Sequence, residues 1–451
     1  MKDTNELAQE LMQSLSAENV KYAVASYVDM HGVPRAKMVP LSHLSRMLDG
    51  SELFTGAALD GVPQGVHEEE VAAMPDPDSC AILPWKPEVA WFASDLWCRG
   101  APFEPCSRNI LKRAIKRAND LGLFPKMGIE SEFFVLKTMD DGSIEPISER
   151  DQLPKPCYDA ASLIENLEWM APLVEGMNKL GWDVYSFDHE DAPGQFEVDS
   201  NYTDMLNMAD RFILMRFMAN EFAKQKGYFV TWMPKPFSNR TGSGAHFNMS
   251  LADQDGNNLF APGDDPKGVG VTQLGYQFIA GIMAHLPALS AVVSPTVNSY
   301  KRIVKQGSME TTTWAPVYRA YGDNNRTNTV RIPKSGARVE LRQVDPACNP
   351  YLAAAMVLTA GIEGVEKALD PGEPNLDNLY DLPRAERESR GIHELPRSLE
   401  EALDEFESDS LGRQVMGEAM FRSYMTYRRD EWAAYMNHVS DWERERYLRM
   451  F

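Results

Sequence analysis

The sequence predicts a folded protein of mixed helices and strands, of the α+β or α/β class, in which a small β-rich N-terminal domain precedes a larger domain. Three observations predict this class. The 451 residues are 43% hydrophobic and 25% charged, which is ordinary globular usage, and the length allows two or more domains. Short strand-like segments follow one another up to about Pro105. From Cys106 onward, longer amphipathic helices alternate with strands.

The N-terminal domain is predicted over residues 1–105. Residues 4–18 have the spacing of a short amphipathic helix, and the segment Tyr22–Val39 is typical of two strands around a turn at His31 and Gly32. Further strand-like segments follow in the sequences LFTGAALDG, CAILPW and VAWFASDLW. This succession of short strands indicates a small domain built on a sheet.

The larger domain is predicted over residues 106–451. Helices are predicted at Ser107–Leu121, Ala160–Leu180, Met205–Lys226 and Gly275–Ser290, and in the apolar segment DPACNPYLAAAMVLTAGIEGVEKAL. Strands are predicted in the segments MGIESEFFVLK, GWDVYSFDHE, GQFEVDS, AHFNMSL and ARVELRQV. The tail from about Pro371 is acidic and is predicted to be helical.

The charge balance argues against polyanionic partners. The chain has 45 lysines and arginines against 66 aspartates and glutamates, a formal net charge of −21. Such a charge repels nucleic acids and anionic membrane surfaces from the molecule as a whole. We therefore expect no nucleic acid and no membrane among its partners, whereas a small anion could still bind a local cluster of arginines.

The cysteines and the chain start predict a cytoplasmic location. Five cysteines are an odd number without the C-x-x-C spacing of a zinc or redox site, so we expect reduced thiols. The start MKDTNELAQELMQSL lacks the apolar core of a signal peptide. The longest apolar run, Tyr351–Ile362, is too short to span a bilayer.

The strand MGIESEFFVLK contains two glutamates where a buried strand would have apolar residues. Side chains alternate between the faces of a strand, so Glu130 and Glu132 point the same way. An exposed acidic face on an edge strand would explain a lone E-x-E. Here an apolar run, Phe133–Leu136, follows at once and indicates a strand buried on both faces. Buried carboxylates need partners, and a cation is the simplest one.

Further polar residues with apolar neighbours occur on the other predicted strands. Together they give five carboxylates and one imidazole: Glu130, Glu132, Glu190, Glu197, His246 and Glu340. A hard, mostly oxygen ligand set suits Mg²⁺ or Mn²⁺ better than zinc, for which cysteine and more histidine would be expected. The set is large enough for two or three ions.

Arginines cluster in the C-terminal third of the chain. They are Arg302, Arg326, Arg331, Arg338 and Arg342, of which the last two share a predicted strand face with Glu340. Metal ions and forked cations together are what phosphoryl transfer requires. The sequence has no G-x-x-x-x-G-K-[ST] loop and no kinase signature. The residues alone therefore predict a metal-dependent phosphoryl-transfer enzyme or ligase.

Several separated motifs resemble those of the glutamine synthetase family, in the same order and with nearly the same spacing. They are GIESEFF, HEDAPGQFE, TGSGAHFNMSL, NSYKR, NNRTNTVRIP, RVELR and DPACNPYLAAA, and YVDMHGVPRAK resembles the family's N-terminal domain. The resemblance implies an α+β fold. A β-grasp domain at residues 1–105 would precede a catalytic domain at residues 106–451 with a curved antiparallel sheet, a half-barrel, flanked by helices.

The resemblance also implies roles for the candidate residues. Glu132, Glu190 and Glu197 match the ligands of one metal, and Glu130, His246 and Glu340 match those of the metal at the nucleotide phosphates. Glutamate would be held by Glu132, Gly242, Arg302 and Arg342. Arg326 matches the arginine that stabilises the transferring phosphoryl group. ATP would contact Asn248, Ser250, Arg331 and Arg338, although the family commonly has histidine where this chain has Asn248.

The family reaction phosphorylates the γ-carboxylate of glutamate with ATP, and an amine then displaces the phosphate. Members that use ammonia usually carry a flap G-Y-E-A-P, and a gapless match places Trp314 at its glutamate. Thr55 stands where those members have the aspartate of F-D-G-S-S. Glu310, in the loop KQGSMETTTW, is a candidate replacement for the lost carboxylates.

The segments TWAP and YDAASL resemble a branch of the family that includes γ-glutamylmethylamide synthetases and type III-like glutamine synthetases. An amine pocket of Thr55, Tyr158, Glu190 and Trp314 is then expected, with Arg326, Glu190, Trp314 and Glu310 as catalytic residues. Loss of two carboxylates and gain of an indole favour methylamine through cation–π contact.

The alternative acceptor is ammonia, and a catalytically inactive structural or regulatory member is a further alternative. The resemblance also implies a homododecamer of two hexameric rings with active sites between subunits.

Overall fold

The computed structural model describes residues 4–261, 263–304, 315–334 and 336–451. Its strands are β1 Tyr22–Val28, β2 Pro34–Pro40, β3 Glu52–Phe54, β4 Val71–Pro75, β5 Ala81–Ile82, β6 Val89–Cys98, β7 Ala101–Pro102, β8 Phe124–Thr138, β9 Ile144–Pro146, β10 Val184–His189, β11 Gln195–Ser200, β12 Thr203–Asp204, β13 Phe229–Thr231, β14 Ala245–Ala252, β15 Tyr318–Asp323, β16 Asn328–Ile332 and β17 Val339–Leu341.

The α-helices are α1 Thr4–Ala17, α2 Leu44–Leu48, α3 Ser107–Asp120, α4 Ala160–Glu165, α5 Leu167–Lys179, α6 Met205–Lys224, α7 Gln273–Val293, α8 Ser299–Arg302, α9 Pro350–Glu366, α10 Arg384–Ser389, α11 Leu399–Ser408, α12 Ser410–Asn437 and α13 Asp441–Tyr447. The predicted helix Ala160–Leu180 is therefore two helices. They meet at Asn166, whose side chain donates a hydrogen bond back to the carbonyl of Ser162 at 2.7 Å.

The N-terminal part of the chain forms one sheet with strand order β2-β1-β6-β4-β3, in which β5 and β7 also pair with β6. Strands β1 and β6 are parallel, and the other pairs are antiparallel. Helix α1 contributes Ala8 and Leu15 to a core with Ala23 and Ala25 of β1 and Phe92 of β6. A helix packed on a mixed sheet is the arrangement expected of the N-terminal domain.

The second sheet has the order β10-β11-β8-β14-β17-β16-β15, and it is curved and nearly closed. All pairs along this order are antiparallel except β15 and β16 at its end, which are parallel. Strand β8 is 15 residues long, lies between β11 and β14, and also pairs with β9, β12 and β13. The predicted fold class is confirmed. The boundary between residues 105 and 106 stays a prediction.

Buried helices support the second sheet. Helices α7 and α9 pack backbone against backbone, because a Cβ at Gly281 would lie 2.0 Å from the carbonyl oxygen of Ala360 and one at Gly364 would lie 2.1 Å from that of Gln277. Among the described residues, α7 is the one helix long and apolar enough to cross a membrane. Its apolar window is 78% buried inside the protein, so α7 is accounted for as a core helix.

A buried arginine connects the two sheets. Arg108 in α3 is 2% exposed and forms ion pairs with Asp76 and Asp95 at 2.8 Å and with Asp210 at 2.9 Å. Asp76 and Asp95 belong to the N-terminal part, whereas Asp210 lies in α6 beneath β8. Tyr351 of α9 also donates to Asp210, at 2.7 Å. The network fixes the N-terminal sheet against the helices of the second.

Candidate active site

The register of the second sheet brings the predicted polar side chains together. Glu130 of β8 is paired with His246 of β14, and Glu132 is paired with Glu197 of β11. Asn248 is paired in turn with Glu340 of β17. Paired residues in an antiparallel sheet project from the same face. Six side chains from four strands therefore lie in one row on one face of the sheet.

A cavity of about 340 Å³ opens over this row. It is lined by most of the predicted site residues, namely Glu130, Glu132, Tyr158, Glu190, Glu197, Gly242, His246, Arg302, Arg326, Arg331, Arg338 and Arg342. Glu340 lies directly beneath and is fully buried.

Glu132, Glu190 and Glu197 form the first cluster, with one carboxylate oxygen of each within 4.8 Å of the others. Burial and the adjacent Glu132 carboxylate raise the pKa of Glu190 well above its usual range. Burial and the nearby carboxylates of Asp199 and Glu132 also raise the pKa of Glu197 well above its usual range. A divalent ion bound among the three carboxylates would offset the repulsion between their charges.

Glu130, His246 and Glu340 form the second cluster. His246 Nδ1 lies 3.0 Å from Glu130 Oε2 and 3.6 Å from Glu340 Oε1, and Nε2 lies 3.6 Å from Glu132 Oε1. Burial, with Arg342 nearby, lowers the pKa of His246 to about 3. The imidazole is therefore neutral, the form that ligates metals. The ligand types of both clusters fit Mg²⁺ or Mn²⁺.

The arginines surround Glu340 and the cavity. Arg342 donates to Glu340 Oε1 at 2.5 Å, and Arg331 pairs with the other oxygen and donates to Asn324 at 2.6 Å. Arg302 is 6% exposed, and its guanidinium donates to the carbonyls of Arg342 and Gln343. Three fixed guanidinium groups beside a carboxylate-rich row give a site that could hold a polyanion together with cations.

Two glycines are required on the segment before β14. A Cβ at Gly242 would lie 2.6 Å from the carbonyl of Pro234 and 2.9 Å from Arg302 Cγ. A Cβ at Gly244 would lie 2.5 Å from His246 Nε2. The Gly244 N–H donates to Glu132 Oε2 at 2.8 Å. The backbone thus approaches the cavity where any side chain would displace Arg302 or His246.

A second cavity, of about 430 Å³, adjoins the first and shares Glu130, Asp199 and Arg338 with it. Asn248 and Ser250, which the resemblance assigns to the nucleotide, line this second cavity, and so do Tyr185 and Tyr202. Arg338 donates from Nε to Asn248 Oδ1 at 2.7 Å. The two cavities together form a continuous site along β8 and β14.

Three predicted pocket residues are not seen in this site. Thr55 is exposed and donates to Glu70 at 3.2 Å, and it lines neither cavity. Glu310 and Trp314 lie outside the described residues.

Tyr158 does line the first cavity, and its backbone is in the left-handed region with φ +64°. A non-glycine residue there is uncommon, and such strain clusters at functional sites.

Sequence reasoning missed several residues that line the first cavity, among them Asp188, Asp199 and Lys235. Burial raises the pKa of Asp188 to about 6, and burial with Glu130 nearby raises that of Asp199 to about 7. Both aspartates lie two positions from a candidate ligand, Asp188 before Glu190 and Asp199 after Glu197. Strand alternation could therefore have identified them.

Comparisons with known proteins give a consistent result. The family model "Glutamine synthetase, catalytic domain" matches residues 104–447. A glutamate–methylamine ligase of Methyloversatilis universalis is 39% identical over 443 residues, which cover 98% of this chain and 99% of the relative. A glutamine synthetase of Rhizobium leguminosarum bv. phaseoli is 38% identical over 439 residues, covering 95% and 96%.

Solved structures agree with the sequence relatives. A GmaS–ADP complex superimposes with a TM-score of 0.90 at 37% identity, covering 97% of this chain and 99% of that one. An apo GmaS structure gives a TM-score of 0.89 with the same identity and coverage. The matched catalytic model, the relatives over nearly the whole chain and the shared fold confirm the resemblance read from the motifs: the chain belongs to the glutamine synthetase family.

Proposed function

We propose that this protein is an ATP-dependent ligase that joins the γ-carboxylate of glutamate to methylamine, giving γ-glutamylmethylamide, ADP and phosphate. The observation that carries the proposal is the row of two carboxylate-rich clusters with guanidinium groups beside it. Family membership and a relative that is a glutamate–methylamine ligase support it. Ammonia is the second candidate acceptor, because glutamine synthetases are almost equally similar to the chain.

The chemistry explains why ATP is needed. A carboxylate is a poor electrophile, and oxide is a poor leaving group. Transfer of the terminal phosphoryl group to the γ-carboxylate gives γ-glutamyl phosphate, from which inorganic phosphate can leave. The amine attacks as the free base, so methylammonium must lose a proton before it forms the amide.

The residues of the two cavities would bind the metal ions, the glutamate and the ATP and would stabilise the transferring phosphoryl group. Divalent ions, when bound by the two clusters, would neutralise phosphate charge and orient the reacting oxygens. Arg302 and Arg342 would hold the glutamate carboxylates, and Arg326 would stabilise the transferring phosphoryl group. Glu132 and Gly242 would also contact glutamate. ATP would extend into the second cavity, with contacts from the group Asn248, Ser250, Arg331 and Arg338.

The amine end of the site carries the proposed specificity. Trp314 replaces a carboxylate that ammonia-using members place in their flap, and Thr55 replaces another. Because Thr55 lines neither cavity of its own chain, it would have to reach the site from a neighbouring subunit, as a homododecamer of two hexameric rings would allow. We propose this assembly, and we propose the cytoplasm as the location. The five free cysteines fit a reducing compartment.

Steady-state phosphate release tests the proposal. The protein is assayed with glutamate, ATP and Mg²⁺ or Mn²⁺ while ammonia, methylamine, ethylamine and putrescine are titrated in parallel. We expect kcat/KM for methylamine to exceed that for ammonia by about tenfold or more, the discrimination a methyl group can give. A preference for ammonia would identify a glutamine synthetase, and no turnover with any amine would favour a structural or regulatory member.

The double variant T55D/W314E is the matched test of the amine assignment. It restores the two carboxylates that ammonia-using members have. We expect the preference to shift toward ammonia, with KM for ATP unchanged, because the nucleotide end of the site is untouched. If the preference for methylamine persisted, residues other than Thr55 and Trp314 would determine it.

A further inference from the structure

Asp151 and His189 form a buried pair beside the candidate site that the proposed chemistry does not use. Their side chains are 1% and 0% exposed, and His189 Nε2 lies 2.7 Å from Asp151 Oδ2. The Gly194 N–H donates to the same Asp151 oxygen at 2.5 Å. A single carboxylate oxygen therefore connects a loop near residue 151 to both ends of the turn between β10 and β11.

The second ring nitrogen of His189 has a different partner. His189 Nδ1 lies 2.8 Å from the carbonyl oxygen of Glu190, which can only accept a hydrogen bond. Asp151 Oδ2 is the partner of the other ring nitrogen. Two contacts, one from each ring nitrogen, therefore fix the orientation of a fully buried imidazole.

The contact between His189 Nδ1 and the carbonyl oxygen of Glu190 fixes the peptide group between Glu190 and Asp191 as well as the histidine side chain. The carbonyl of Glu190 and the N–H of Asp191 belong to one planar peptide unit, so an oriented carbonyl determines where that N–H points. The Asp191 N–H donates to Glu190 Oε2 at 2.9 Å. The orientation set by His189 is therefore passed to the carboxylate of a candidate metal ligand.

The same histidine also holds the facing wall of the cavity. The Tyr158 N–H donates to the carbonyl of His189 at 2.9 Å. Tyr158 has a left-handed backbone and lines the cavity together with Glu190. A strained residue keeps such a conformation only where its neighbours determine it.

We propose that Asp151 and His189 are positioning residues that orient Glu190 as a metal ligand and Tyr158 as a wall of the amine pocket. This inference rests on the proposed function, which supplies the roles of Glu190 and Tyr158. The pair touches no substrate. It acts through the peptide group between Glu190 and Asp191 and through the backbone of Tyr158.

The test measures ion binding and kinetics on the full-length protein. Mn²⁺ is titrated into nucleotide-free protein, and free Mn²⁺ is followed by electron paramagnetic resonance. For His189→Gln and Asp151→Ala we expect the Kd of one class of bound ion to rise by about tenfold or more, as for other residues that support metal ligands. KM for methylamine should rise with it, while KM for ATP stays within about twofold.

Asp151→Asn keeps the shape of the pair, because its amide oxygen still accepts from His189 and Gly194. It should therefore bind Mn²⁺ better than Asp151→Ala, and it provides a folded variant if the others are unstable.

His285→Gln is the matched control. His285 Nδ1 lies 2.7 Å from Asp409 Oδ2 in a similar pair that lines neither cavity. We expect His285→Gln to reduce thermal stability without changing Mn²⁺ binding or KM for methylamine.

Glu190→Gln separates this inference from the proposed function. If Glu190→Gln binds Mn²⁺ like the unaltered protein, the metal assignment in the proposed function is wrong. If Glu190→Gln weakens Mn²⁺ binding but folded His189→Gln and Asp151→Ala keep the Kd for Mn²⁺ and the KM for methylamine of the unaltered protein, the positioning role is refuted while the metal assignment stands.

Discussion

Arg338 donates a hydrogen bond from Nε to Asn248 Oδ1 at 2.7 Å. Asn248 donates in turn from Nδ2 to Glu130 Oε1 at 3.0 Å. One amide thus connects a candidate nucleotide contact to a candidate metal ligand, at the position where the family commonly has histidine. An amide can bridge a cation and a carboxylate because its acceptor oxygen and its donor nitrogen are bonded to the same carbon.

Asn248→Ala should therefore weaken ATP binding. Hydrogen bonds to charged groups are worth about 1.5–3 kcal/mol, so we expect KM for ATP to rise by about tenfold or more, with a smaller change in KM for glutamate. Asn207→Ala is the matched control, since Arg211 Nε donates to Asn207 Oδ1 at 3.0 Å on the exposed surface of α6. Equal kinetics for the two variants would contradict the bridging role.

The sequence predicted the row of site residues because strand alternation is a strong local constraint. Glu130 and Glu132 share a face, and the register adds Glu197, His246 and Glu340 to it. The residues themselves indicated the number and type of ligands. Their division into two clusters came from the family resemblance and agrees with the geometry, because period-2 patterning alone does not give the pairing of separate strands.

Long-range contacts account for what the sequence did not predict. Asp151 lies in an irregular segment, and only the folded chain brings it to His189. The break at Asn166 depends on one side chain that bonds to the preceding turn, which apolar periodicity does not reveal. The parallel pairing of β15 with β16 likewise follows from tertiary packing.

Glu340→Gln should abolish turnover. Glu340 is fully buried, pairs with Arg331 and Arg342, and belongs to the second cluster. Because a catalytic metal supplies several kcal/mol, we expect kcat to fall by about 10³-fold and one class of bound Mn²⁺ to be lost. Glu363→Gln, which alters a carboxylate paired with Lys367 in α9, should leave both unchanged. Retained turnover in Glu340→Gln would overturn the metal assignment.

Arg108→Met should destabilise the protein strongly. It removes a buried cation that pairs with Asp76, Asp95 and Asp210. Among the described residues Asp76 and Asp95 then keep an ion pair with Lys112, whereas Asp210 keeps none. Breaking such a network costs about 3–5 kcal/mol, measured as the apparent free energy of unfolding in urea. Arg390→Ala removes two exposed ion pairs and should change the free energy of unfolding far less. If Arg108→Met and Arg390→Ala lowered the free energy of unfolding equally, the buried network would contribute no more to stability than exposed ion pairs do.

Asp345→Asn should stabilise the protein above neutral pH. Burial raises the pKa of Asp345 to about 6, although Arg302 opposes the shift, whereas an unfolded aspartate titrates near about 3.9. The folded state therefore keeps its proton longer, and stability is lost as the pH rises through about 6. Asparagine resembles the protonated form, so we expect a gain of about 1–3 kcal/mol at pH 7.5 that shrinks as the pH falls toward 4.

Asp265→Asn should give the opposite pH dependence and is the control. Burial alone would raise the pKa of Asp265, but donation from Tyr276 at 2.5 Å and from the backbone of Gly270 at 2.7 Å outweighs it and lowers the pKa. This carboxylate stabilises the fold above the pKa of an unfolded aspartate, and the contribution is lost as the pH falls through its own. Asp265→Asn should therefore destabilise the protein at pH 7.5 and less so in acid. Urea unfolding at pH 7.5 and 4.5 measures the pH dependence for Asp345→Asn, and unfolding at pH 4.5 and about 3, below the pKa of an unfolded aspartate, measures that for Asp265→Asn. A pH dependence of the same sign for both variants would contradict the assigned causes.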